Sequence, residues 1–165
     1  MADLTLTDLT STTKTTIRAA DDTAAAASLG LSSGTSEHRE NGDLVVRIRP
    51  DEWLIVGSTT TADELDMTGF ASRIDTTHSR LMFRLTGDDA ARVMEKLCSL
   101  DFGDHMTPNG ACIGASVAKV ACDIVRDDVS GGDTADTRSY LLLCDTSYRG
   151  YLRGAIEDAM AEFHS

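Results

Sequence analysis

The chain has 165 residues, 41% hydrophobic and 25% charged, a globular composition with enough length to bury one ordinary apolar core. Lys and Arg number 15 against 27 Asp and Glu, a formal net charge of −12, which disfavours binding to nucleic acid or to an anionic membrane, because both need clustered cations. No apolar run approaches the roughly 20 residues of a membrane helix, and Met1-Ala2-Asp3-Leu4-Thr5 has no basic or apolar leader character, so a cytoplasmic protein is expected.

Residues 1–11 set Leu4, Leu6 and Leu9 among Thr, Asp and Ser and read as a flexible or partner-ordered arm, with a single domain over 12–165. Thr12–Arg18 is rich in β-branched residues and suits a strand near an edge. A short alanine helix follows over 20–29, capped by Asp21 or Asp22 and ended by Gly30. Residues 31–42 read as a polar loop. Leu44–Arg49 and Trp53–Val56 form two strands around Pro50-Asp51-Glu52, a β-hairpin whose apolar second strand is expected to be covered on both faces. A short helix is expected around 62–65, then brief strands over 72–75 and 81–85.

Ala90, Val93, Met94 and Leu97 fall on one helical face, with Asp88 placed to cap it. Residues 112–126 form one long strand, or two joined by a bulge; a Gly/Asp loop over 127–136 leads to a return strand over 138–144. A final helix is capped by Asp145 or Thr146 and carries Tyr148, Leu152, Ala155, Ile156, Ala159, Met160 and Phe163 on one face. The expected class is α+β: mostly antiparallel sheet with helices packed on one side, and a hint of internal duplication of β-α-β-β units.

Motifs for chemistry are sparse. His38, His78, His105 and His164 are scattered, and Cys98, Cys112, Cys122 and Cys144 form no Cys-x-x-Cys pair, so buried thiols and solvated imidazoles are expected in place of zinc or disulfides. Gly110–Gly114 and Gly131-Gly132 lack the strand-loop-helix setting of a phosphate cradle. Asp75-Thr76-Thr77-His78-Ser79-Arg80 groups acid, base and hydroxyl side chains, but adjacent residues rarely converge on one atom. A turn is expected there, with Asp75 and Thr76 satisfying backbone donors and Arg80 pairing a carboxylate. Asp51-Glu52 beside Trp53 could wall a ligand; a turn that packs its one Trp into the core is the stronger reading. No catalytic, cofactor-binding or metal residue is assigned.

Four stretches in register resemble the gamma subunit family of heterotetrameric sarcosine oxidase. Arg49-Pro50-Asp51-Glu52-Trp53-Leu54-Ile55-Val56-Gly57 is similar to its G-P-D-E-W-L-L hairpin, and Ile74–Arg80 to its D-V-S-…-R strand exit. Leu85–Ala90 with Leu97-Cys98-Ser99-Leu100-Asp101-Phe102 matches L-S-G-P-D-A-…-G-C-P-L-D-L, and Pro108–Cys112 matches P-P-G-x-C. The likeness runs from about Thr12 to Phe163; Ser99 replaces a usual proline and Thr76 a usual valine.

The resemblance implies a fold like the folate-binding domain of the glycine-cleavage T-protein and a non-catalytic role beside alpha, beta and delta chains, chiefly alpha. Those partners carry FAD, covalent FMN, NAD, zinc and the tetrahydrofolate site, and the complex oxidises an N-methyl amine and passes its one-carbon unit to tetrahydrofolate. Trp53, Asp51, Asp75, Arg80, Asp101 and Phe102 are the implied interface or structural residues. The alternative is a stand-alone folate-binding or aminomethyltransferase-like module.

Overall fold

The computed structural model describes residues 2–164. Its strands are β1 (Thr5–Asp8), β2 (Thr13–Ala19), β3 (Thr35–His38), β4 (Leu44–Arg49), β5 (Glu52–Gly57), β6 (Ala71–Asp75), β7 (Arg80–Thr86), β8 (Cys112–Val117), β9 (Val120–Arg126) and β10 (Ser139–Asp145). Its helices are α1 (Ala24–Leu29), α2 (Thr60–Asp63), α3 (Ala90–Leu97) and α4 (Arg149–Met160). They divide into two compact units, Ser11–Ser79 and the residues up to Thr10 together with those from Arg80 onward. Each unit is a five-stranded antiparallel sheet with helices on one side, an α+β fold. No helix among the described residues is long and apolar enough to cross a membrane.

The two units connect their elements in the same way. One runs β2-α1-β3-β4-β5-α2 and the other β7-α3-β8-β9-β10-α4. Their sheets have the orders β3-β4-β5-β2-β6 and β8-β9-β10-β7-β1. The fifth strand therefore lies beside the first in both, taken from the chain after α2 in one unit and from the N-terminal segment in the other.

In the 11–79 unit, Ile17, Ala19, Val45, Trp53 and Ile55 pack against Ala25, Ala26 and Leu29 of α1, Ala62 of α2, and Leu65. Leu54 and Val56 alternate with these and are buried too, so β5 is covered on both faces as its apolar run implied. Thr23, not Asp21 or Asp22, caps α1: its Oγ1 accepts the Ala26 N–H at 3.2 Å, and Gly30 ends the helix at φ 60°. Only the residue just before the first helical turn reaches that donor. The 31–42 stretch is not all loop, because β3 pairs with β4 through Ser36 opposite Val46. Backbone pairing recruits a polar segment there, and polar composition carries no period to announce it.

In the other unit, Leu81, Phe83, Leu85, Ile124, Tyr140 and Leu142 form the sheet face of a core closed by Ala90, Val93 and Met94 of α3 and Leu152, Ile156 and Met160 of α4. The supposed arm contains a strand: Thr5–Asp8 pairs with β7 from Thr86 to Phe83, and Leu4 is buried. The backbone groups of β7 supply the partners that the segment's own side chains could not reveal. Asp88 does not cap α3; Asp89 occupies that position without a side-chain bond to the helix backbone, its carboxylate pairing with Arg92 instead, and Asp88 Oδ2 accepts the Ala2 N–H at 2.8 Å.

Residues 112–126 are a hairpin, not one strand. β8 and β9 meet through Ala118-Lys119, both at positive φ (47° and 71°), the type I′ geometry that reverses a right-twisted pair. Neither residue is a usual one for that turn, which hid it. Asp145 accepts the Ser147 N–H at 2.8 Å and caps a 3-10 turn leading into α4. Tyr148, expected on the buried face, is exposed because that turn, not α4, holds it.

Candidate interaction surface

Pro50 and Asp51 reverse the chain between β4 and β5, and Asp51 is exposed. Trp53 beyond it is fully buried; its Nε1–H donates to the Gly30 carbonyl at 2.9 Å, and the Arg47 guanidinium stacks 4.6 Å from the ring centroid. Arg47 also donates to the Leu31 and Pro50 carbonyls at 2.6 and 2.5 Å, pinning the turn over the indole. Glu52, buried, is paired by Arg49 and lies 3.5 Å from Arg18. These residues build the unit's core and its neutralised rim, with the indole committed to the core.

Asp43 organises the far end of the hairpin. Its carboxylate accepts from Ser58 N–H (2.7 Å), Ser58 Oγ (2.8 Å), Thr61 N–H (3.2 Å) and Thr61 Oγ1 (2.7 Å). Burial pushes this carboxyl up, but the Thr61 and Ser58 bonds outweigh it and hold the group below its ordinary value. Gly57, at φ 132°, is required here: a Cβ would meet Asp43 Oδ1 at 2.8 Å.

On the same unit an open groove of about 640 Å³ runs past Arg18, Asp21, Asp51, Gly69, Phe70 and Ser72. Phe70 is 88% exposed, and Ile74 on the neighbouring strand is 55% exposed. That strand, β6, is an edge of its sheet, and Ser72, Arg73, Ile74 and Asp75 are all exposed. Phe70 and Ile74 thus lie in solvent beside an edge with no strand paired to its outer side.

The Asp75–Arg80 segment does not gather into an acid–base site. Asp75 Oδ1 accepts the Thr77 N–H at 2.9 Å, and Thr77's hydrogen bonds hold the carboxyl below its ordinary value. Thr76 Oγ1 lies 3.0 Å from Thr16 Oγ1, Thr77 Oγ1 accepts the Lys14 N–H at 3.0 Å, and His78 and Ser79 are exposed or turned to the loop. Arg80, which opens the other unit, pairs with Asp123 of β9. The segment is a turn.

Asp101 and Phe102 have structural places in that second unit. Asp101 accepts the Gly103 N–H at 2.7 Å and lies 3.3 Å from His105 Nε2. Phe102 is buried edge-on against Tyr140, with centroids 5.4 Å apart and planes at 81°. Burial pushes the Tyr140 phenol up.

The sequence reading missed the arginine network that fixes this loop. Buried Arg126 grips Asp128 with two bonds (3.1 and 2.8 Å) and donates to Asp104 Oδ1 (2.7 Å) and the Thr107 carbonyl (2.8 Å). Arg138 also pairs with Asp104, and Arg84 reaches Asp127 at 2.7 Å. The Asp128 bond heads the causes that raise Arg126, and Arg126 with Arg138 holds Asp104 low. Arginine inside an apolar strand was the available signal; of its partners Asp128 is two residues on, while Asp104 and Thr107 come from a loop about twenty residues earlier, which local spacing cannot show.

The four cysteines are free and buried. The hydrogen bond between Cys122 and Cys144 raises the first thiol and lowers the second. Among the described residues no group of three or more His, Cys, Asp or Glu is arranged to hold a metal ion.

Neither a family model nor a curated protein matches the sequence. Among solved structures, the chain is similar to a chain of the heterotetrameric sarcosine oxidase from Corynebacterium sp. U-96, determined in complex with pyrrole 2-carboxylate. The TM-score is 0.81 and the identity 23%, over 98% of this chain and 86% of that one. The protein therefore has the fold of a component of that oxidase assembly, along essentially its whole length.

Proposed function

We propose that this chain is the non-catalytic, gamma-type subunit of a heterotetrameric, flavin-dependent oxidase that demethylates an N-methyl amine such as sarcosine and passes the one-carbon unit to tetrahydrofolate. The observation that carries the proposal is the end-to-end likeness to a chain of a heterotetrameric oxidase. The four sequence stretches that resemble the gamma family support the subunit assignment, and the common connectivity of the two units supports a duplicated, T-protein-like folate-binding architecture. In this reading alpha, beta and delta chains hold the FAD, FMN, NAD, zinc and tetrahydrofolate, the assembly is cytoplasmic, and this chain contributes shape. Trp53 and Phe102 keep the two sheets in form, and Asp51, Asp75, Arg80 and Asp101 secure the turns that a larger neighbour packs against.

Purification from native cells under gentle conditions tests the assignment. A larger flavoprotein chain is expected to co-elute with this one in fixed ratio; elution free of any flavoprotein overturns the proposal. The open groove beside Phe70 favours a second reading, a stand-alone pterin-binding module. Micromolar binding of tetrahydrofolate to the isolated chain by calorimetry would promote it.

A further inference from the structure

β6 pairs on one side only, with β2, in a register that sets Thr16 opposite Ile74 and Arg18 opposite Ser72. The flanking bonds, Ala20 N–H to Phe70 O at 3.0 Å and Thr76 N–H to Lys14 O at 2.9 Å, place the backbone groups of 70, 72, 74 and 76 toward β2. Antiparallel strands alternate the direction of their backbone groups, so those of 71, 73 and 75 point away from the sheet. The edge has no proline and no lysine, its two charges are of opposite sign (Arg73 and Asp75), and Ile74 stands 55% in solvent.

The side chains along this edge complement themselves. Two copies joined antiparallel about a two-fold axis at Ile74 set Arg73 of each opposite Asp75 of the other. Arg73 and Asp75 then exchange backbone hydrogen bonds through the groups that point outward, twice about the axis. Ile74 meets its own copy across the axis in the closer, non-hydrogen-bonded position. Arg73 is already steadied by its Nη1–H to the Ala62 carbonyl at 2.9 Å, with Asp63 at 3.3 Å, and its side chain remains 41% exposed. Asp75 is held as a carboxylate with its Oδ1 on Thr77.

Neighbouring registers are poorer. Centring on Arg73 sets Arg73 against Arg73, like charges face to face. Centring on Ser72 requires the Ala71 N–H to reach the second copy, and that group is bonded to the Gly69 carbonyl at 2.9 Å.

We infer that β6 is a self-association edge, on which a second copy of this chain docks as an antiparallel strand centred on Ile74, with Arg73 and Asp75 paired reciprocally. A closed two-fold contact of this kind consumes the β6 edge of both copies, so no third copy can add there. A contact built on one strand pair is expected to be weak and concentration-dependent.

Sedimentation of the full chain over a concentration series tests the inference, with circular dichroism to confirm that each variant is folded. Wild type is expected to move from monomer to dimer across the micromolar range. Ile74→Lys, Arg73→Asp and Asp75→Arg, each at an exposed position, are each expected to weaken dimerisation at least tenfold. An equimolar mixture of Arg73→Asp and Asp75→Arg is expected to restore a dimer, now heteromeric, because acid again opposes base at both rungs. A wild type that stays monomeric at millimolar concentration, single variants that dimerise like wild type, or a mixture that stays monomeric each overturns the inference. This outcome does not depend on the oxidase assignment, which is decided on material from native cells.

Discussion

The two units follow one connection pattern and treat their fifth strand in opposite ways. β1, the added strand beside β7, is tied down: Leu4 is buried, Ala2 bonds Asp88, and Asp8 pairs with Arg149 of α4. β6, its counterpart beside β2, is exposed from Ser72 to Asp75 and carries Ile74 and the adjoining Phe70 into solvent. A shared topology therefore does not dictate a shared use. Both strands end their sheets, one anchored by side-chain contacts and the other carrying apolar side chains into solvent, and the difference lies in a few side chains and their partners.

The units also differ in how they are held. The 11–79 unit has one buried aromatic, Trp53, with the polar hub at Asp43. The other unit spreads its polar anchoring over arginine–aspartate pairs and has Phe102 against Tyr140. Trp53→Ala and Phe102→Ala are each expected to cost about 3–5 kcal/mol. Hydrogen exchange is expected to show the first loss of protection within 11–79 for Trp53→Ala and within 80–164 for Phe102→Ala. Uniform loss in both variants would erase the contrast between the units.

Asp43→Asn comes next, at about 2 kcal/mol, since a buried carboxylate accepting four bonds is replaced by a weaker acceptor. The pH dependence has a definite sign. Asp43 has a native value below its ordinary 3.8, so its contribution is full above that ordinary value and is lost as pH falls through the lower native one. Urea titrations from pH 6 downward are expected to show a shallower acid decline for Asp43→Asn than for wild type. Parallel curves would mean that other carboxylates carry the acid limb.

Lys119→Gly, in the β8–β9 turn, is expected to stabilise by about 1 kcal/mol by relieving a left-handed non-glycine residue, read as a rise in the denaturation midpoint. Phe70→Ser has the smallest expected effect on stability, within about 0.5 kcal/mol. If it destabilises more, Phe70 packs where the structure leaves it exposed, and the open edge of the 11–79 unit is less open than described.

Much of this architecture was legible from local pattern. The β4–β5 hairpin around Pro50-Asp51, the α3 face of Ala90, Val93 and Met94, and the burial of Trp53 follow from alternation, helical spacing and turn chemistry, which act over a few residues. Strands β1 and β3 were not legible, because polar segments enter a sheet when a neighbouring backbone offers hydrogen bonds, and that neighbour lies far away in sequence. The Arg126 network was missed for the same reason: its partners Asp104 and Thr107 arrive from a loop.

Sequence alone thus determined the α+β class, the acidic surface, the principal hairpin and the helical faces, since each expresses a period or a residue's own backbone preference. Tertiary structure decided the pairing of β1 and β3, the partners of the buried arginines, and which edge stays open with Arg73 and Asp75 set two residues apart on its outward side. Pairing and exposure depend on what the rest of the folded chain brings alongside, and no local spacing contains that.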